Sequence, residues 1–159
     1  MFLNPEARRV WTTAHARVWD GLLILATFPR FAGDRVAAFA GRASVRDAET
    51  FVAFVTEGDE CSLTVSEAAF SAWRLKNRAT EVVRGLRAIT VFATMPPNLE
   101  GFIAPLAERL ALARIPIIPQ CGFRTDHLLV PENRLEDALL IIETLIADAR
   151  KETANANCA

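Results

Sequence analysis

A thiol, a carboxylate and an imidazole, from Cys121, Asp126 and His127, fall within seven residues. Such groups together can serve nucleophilic or acid/base chemistry. They sit in the stretch IPIIPQCGFRTDHLLVPE, 115–132, where Ile115, Ile117 and Ile118 lead in and Leu128, Leu129 and Val130 lead out. A plain hairpin needs only a two-residue turn, so this polar knot carries more than turning requires. Two features weigh against catalysis. Adjacent Asp126 and His127 point to opposite faces if they lie on a strand, and a lone cysteine commonly serves as a small buried hydrophobe. Thr125 and Asp126 are also ordinary turn residues, whose side chains bond nearby backbone N–H groups.

A second chemistry-bearing stretch is PPNLEGF, 96–102. It leads into a helix, which Asn98 can cap. The backbone N–H groups of Glu100, Gly101, Phe102 and Ile103 are then placed to face a carboxylate, as helix starts do. Gly101 permits close backbone approach. Pro105 crowds the carbonyl four residues before it, so the regular helix is expected to begin near Gly101. Glu100 or Asp126 can pair with an ammonium group, and Arg124 suits a second carboxylate or an acidic side chain. The plainer reading leaves Glu100 in solvent and makes Gly101 a helix-start glycine.

The elements that must position these groups follow from periodicity. AITVFAT, 88–94, reads as a buried strand. Leu99, Phe102, Ile103, Leu106, Ala107 and Leu110 form one helical stripe. Residues 115–120 and 127–130 read as two strands around the knot. Asn133 and Glu136 form a capping pair for a second helix with Leu135, Ala138, Leu139, Ile142, Leu145 and Ile146 on its apolar face. The order is β-α-β-β-α, which lacks the last strand of a ferredoxin-like βαββαβ unit. The N-terminal half is the natural donor.

That half holds strands at 21–28, 49–56 and 62–66, a short helix at 34–40, and a helix over 67–83 containing Ala68, Ala69, Ala72 and Leu75. Residues 5–16 read equally as a helix begun by Pro5 or as a strand. The halves repeat each other. ILATFP at 24–29 matches VFATMP at 91–96, and LTVSE at 63–67 matches LLVPE at 128–132, at offsets of 67 and 65. The expected organisation is an N-terminal half over 15–75, a C-terminal half over 80–150 and a flexible tail over 151–159.

Hydrophobic residues make up 52% and charged residues 23% of the 159, as in a globular protein with a substantial core. The net charge of −1, with arginines scattered among acids, gives no reason to expect nucleic acid. No apolar run is long enough for a bilayer. Cysteines 61, 121 and 158 are far apart and not in CxxC spacing, so neither a disulfide framework nor a zinc site is expected. A cytoplasmic protein without cofactor or metal is the expectation.

Strand, Pro-containing loop, helix with internal Pro105 and then the TDHLLVPENRLEDAL segment resemble the second half of small tandem ACT-domain proteins. These resemble the ACT modules of arginine sensors and the regulatory parts of aspartate kinases. The resemblance covers about 85–146 well and 15–75 weakly. It implies an α+β fold of two ferredoxin-like halves with antiparallel sheets and helices on one face. It implies an amino acid held at an interface between modules, with family positions on Glu100, Gly101, Ile103, Thr125 and Asp126, and Asn98, Phe102 and Arg124 beside them. It further implies a homodimer. The sequence departs from the family at Pro119, Gln120, Cys121 and Gly122, where small hydroxyl residues are usual. The alternatives are an assembly module without ligand and a small enzyme using Cys121, Asp126 and His127.

Overall fold

The computed structural model describes residues 4–46, 51–74, 76–94, 96, 98–123 and 125–157. Leu75 and Arg124, both singled out above, and the end of the tail with Cys158 lie outside the described residues. The chain divides into two compact units, Trp19–Ala88 on one hand and Met1–Val18 with Ile89–Ala159 on the other. The sequence boundaries at 75 and 80 thus fall short of the division, and residues 15–18 belong with the later part of the chain.

In chain order the elements before the first unit are α1 (Pro5–Thr13) and β1 (His15–Val18). The unit over Trp19–Ala88 then contains β2 (Leu23–Pro29), α2 (Gly33–Arg46), β3 (Ala53–Thr56), β4 (Glu60–Ser66), α3 (Glu67–Ala72) and the first part of β5 (Glu81–Phe92). Its strand order is β3-β4-β2-β5, every pair antiparallel. This is a complete βαββαβ unit. Its core holds Ile24, Ala26, Phe28, Val36, Leu63, Val65 and Phe70, the inward positions of strands and helices.

Two expectations change here. Residues 81–83 are strand, not the end of a helix: α3 stops at Ala72, and β5 pairs Val83 with Leu25, Val82 with Ala26 and Glu81 with Thr27. The alanines do form a helical turn, capped by Ser66 accepting from the Ala69 N–H at 3.2 Å. The β-branched pair Val82-Val83 favours the strand that follows. Lastly, the helix expected over 34–40 runs to Arg46.

The other unit contains α1, β1, the last part of β5, α4 (Ala104–Leu112), β6 (Ile118–Cys121), β7 (Thr125–Pro131) and α5 (Leu135–Asn157). Its strand order is β1-β5-β7-β6. β1 pairs antiparallel with Ile89–Phe92, and β6 with β7. The strand missing after α5 is therefore supplied from the N-terminal segment, at the place the last strand of a βαββαβ unit takes. ILATFP and LTVS fall on the neighbouring central strands β2 and β4, and in the other unit LLVP falls on β7 while VFATMP begins with the last two residues of β5, Val91 and Phe92.

Pro5 starts α1, as Asn4 caps it by accepting from the Glu6 N–H at 2.8 Å. Trp11, wholly buried, brings α1 onto the unit's core, which also holds Leu106, Leu110, Leu128, Val130, Ile142, Leu145 and Ile146. The apolar stripe of α5 is thereby covered within its own unit, leaving Leu140 at 64% exposure.

α5 begins at Leu135, with Asn133 inside a 3-10 turn rather than capping the helix. At its other end it continues through residues 151–157, expected to be flexible. Ala, Glu and Lys in this segment are good helix formers. α1 also lies alongside, with Arg150 Nε donating to the Thr12 carbonyl at 3.0 Å and Arg8 3.7 Å from Glu152.

Candidate functional site

α4 begins at Ala104, later than expected. Gly101 has φ +76°, left-handed backbone that a helix interior excludes and that favours glycine. Pro105 occupies the first turn, where its missing N–H costs nothing. Ile103 is the cap position and no side chain caps the helix, so Asn98 does not have that role. The N–H groups of Glu100 to Ile103 accordingly lie before the helix, not in its first turn.

The loop before α4 is fastened by α1. Trp11 stacks on Phe102 with ring centroids 4.6 Å apart, and its Nε1–H donates to the Phe102 carbonyl at 2.8 Å. Asn4 Nδ2 donates to the Glu100 carbonyl at 3.0 Å. These groups are far from the loop in sequence, and nothing local in the residues around Trp11 signals them.

Opposite lies the β6–β7 hairpin. Cys121 faces Asp126 and Gln120 faces His127 in the ladder, and the Gly122 N–H donates to the Thr125 carbonyl at 2.9 Å. Gly122 is there for space: a Cβ would stand 2.9 Å from Thr125 Oγ1 and 3.3 Å from His127 Nε2. His127 Nδ1 is 2.7 Å from Thr90 Oγ1, and Nε2 is 3.2 Å from Thr125 Oγ1. Thr90 itself is fully buried in β5. The polar knot is thus a network running from the hairpin into the core.

Loop and hairpin enclose a cavity of about 470 Å³. Of the residues singled out by sequence, Gly101, Phe102, Ile103 and Asp126 line it. Asn98 and Glu100 are exposed and do not. Thr125 reaches the site through His127. Leu99, Pro119, Phe123 and Leu128 add apolar wall. Leu99 was legible only as helix stripe, and Phe123 stands 83% exposed.

Cys121, Asp126 and His127 also line this cavity together, although adjacent strand residues were expected on opposite faces. Their chemistry does not favour catalysis. Burial, and then the hydrogen bond and charge of Asp126, push the Cys121 thiol above its ordinary 9.0. An activated cysteine needs the opposite, a cationic neighbour. Burial pushes His127 below its ordinary 6.5, with Asp126 opposing, and both ring nitrogens face threonine hydroxyls. Near neutral pH the site presents a thiol, a neutral imidazole and one carboxylate among apolar walls. Among the described residues no group of three or more His, Cys, Asp and Glu is placed to hold a metal ion. Among them, too, no helix is long and apolar enough to cross a membrane.

No family model matches the chain, and no curated protein matches its sequence. Solved structures do match. The Agobacterium tumefaciens protein Atu0741 is 20% identical, with TM-score 0.60 over 82% of this chain and 87% of that one. The Vibrio cholerae protein VC0802, described as of unknown function and a possible transport protein, is 14% identical, with TM-score 0.63 over 89% and 96%. The regulatory subunit of aspartate kinase from Thermus thermophilus is 14% identical, with TM-score 0.57 over 83% and 95%. What is shared at these identities is the fold. It is the ferredoxin-like ACT type, α+β, with antiparallel sheet and helices.

Proposed function

We propose that this chain is a regulatory module that binds an amino acid in the cavity between the Gly101–Ile103 loop and Asp126. One observation carries the reading: an apolar-walled cavity of about 470 Å³ with a single carboxylate on its hairpin side. Its volume suits a small molecule. Asp126 pairs with the α-ammonium, Leu99, Phe102 and Pro119 pack the side chain, and the uncapped start of α4 beyond Ile103 receives the carboxylate. Likeness in fold to an aspartate kinase regulatory subunit supports a regulatory role. Arg124 remains part of the proposal as a second anion contact, and Asn98, Glu100 and Thr125 as its surroundings.

The test is a thermal-shift panel of the common amino acids on the wild type and on Asp126→Ala. A ligand at a hundredfold excess over Kd adds about 2.7 kcal/mol to folding stability. Asp126→Ala is expected to remove most of that gain. A gain that survives in the variant places the site elsewhere. No shift with any amino acid favours the second reading, an assembly module without ligand, which draws support from Phe123 standing exposed at the cavity.

A further inference from the structure

The unit over Trp19–Ala88 carries a cavity of its own, about 500 Å³, between α2 and the end of α3. Its wall is aromatic. Trp73 stacks on Phe39 with centroids 4.3 Å apart and planes 9° from parallel. On another side Trp73 meets the fully buried Phe28 edge to face at 5.5 Å, which holds the indole in place. Ala43 and Ala69 keep the groove open, since neither fills it. Arg42 and Arg74 complete the lining, and no acidic side chain belongs to it. Both arginines are exposed, and among the described residues neither guanidinium has an ion-pair or hydrogen-bond partner.

The end of α3 does not oppose an anion here. The Phe70 carbonyl accepts from the Trp73 N–H, and the Ser71 carbonyl accepts from Lys76 Nζ, so cationic and amide donors already occupy these groups. An aromatic surface flanked by two guanidinium groups that have no partner among the described residues recognises a planar apolar body bearing an anionic group. We propose that this groove binds a small aromatic carboxylate, its ring against Trp73 and Phe39 and its carboxylate between Arg42 and Arg74. The site lies wholly in one unit and does not depend on the amino-acid reading of the other cavity.

The experiment titrates the ¹⁵N-labelled full chain with naphthalene-2-carboxylate and, separately, with the uncharged naphthalene-2-carboxamide. The readout is the indole N–H resonance of Trp73. The carboxylate is expected to shift it saturably and to bind at least about tenfold more tightly than the amide. Arg42→Gln with Arg74→Gln, both at exposed positions, removes that preference, whereas Asp126→Ala leaves it intact. Equal binding of acid and amide, carboxylate binding unchanged in the double variant, or a Trp73 resonance that does not respond to the acid overturns the proposal.

Discussion

Trp11 and Phe102 stack face to face while the Trp11 indole N–H donates to the backbone carbonyl of the same Phe102. Two interactions of different kinds thus fix one loop residue from one helix, and that loop is a wall of the candidate site. Trp11→Phe keeps an aromatic partner but strands the Phe102 carbonyl, at a cost of about 1–3 kcal/mol. Trp11→Ala also empties the core and costs about 3–5 kcal/mol. Urea unfolding of the two variants checks the order; equal losses would mean that the ring's packing adds nothing beyond the hydrogen bond, and no loss in Trp11→Phe would mean that the hydrogen bond contributes nothing beyond packing.

Gly122 is expected to tolerate no side chain. The added Cβ of Gly122→Ala would press on Thr125 Oγ1 at 2.9 Å, backed by His127. Overpacking of this kind costs about 1–3 kcal/mol. Thr125→Ala removes the obstructing atom, so the double variant should be more stable than the sum of the single losses predicts. A double-mutant cycle with coupling below about 0.5 kcal/mol would show that the contact is not the cause.

His127 gives stability a pH dependence of known sign. Its folded-state pKa lies below the ordinary 6.5, chiefly through burial, with Asp126 opposing the shift. Its contribution is full above 6.5 and is lost as pH falls from there through the folded pKa, because the unfolded chain takes up the proton first. Denaturant midpoints measured from above 6.5 to about one unit below it should fall in the wild type. The fall should be shallower in His127→Gln, and identical slopes would remove His127 from the explanation.

The chain is expected to be a homodimer. The ground is its resemblance to paired ACT modules, together with Leu112 at 80% and Leu140 at 64% exposure on α4 and α5. Sedimentation equilibrium at micromolar protein should give twice the 17.5 kDa chain mass. Leu112→Glu with Leu140→Glu should lower it toward the monomer. A wild-type monomer rejects the assembly.

Much of the fold was legible where burial imposes a period. The alternating and continuous apolar runs marked β2, β4, β5 and β7, and the stripe from Leu135 to Ile146 marked α5, because each such pattern reflects one face or both turned toward a core. The repeated segments marked the central strands of both units for the same reason. Residues 81–83 were misread because Glu81, Val82 and Val83 are exposed and carry no period. Their strand state comes from pairing with β2.

Of the candidate site, sequence alone determined which groups stood in the loop and the hairpin: Gly101, Phe102 and Ile103 on one, Cys121, Asp126 and His127 on the other. Tertiary structure decided that these line one cavity, that Asn98 and Glu100 stay outside it, and that β1 fills the place of the missing strand. It also decided that α1 holds the loop. Trp11 and Phe102 are 91 residues apart, and periodicity records only that a side chain is buried. Which distant residue covers it depends on chain-wide packing, which no local pattern encodes.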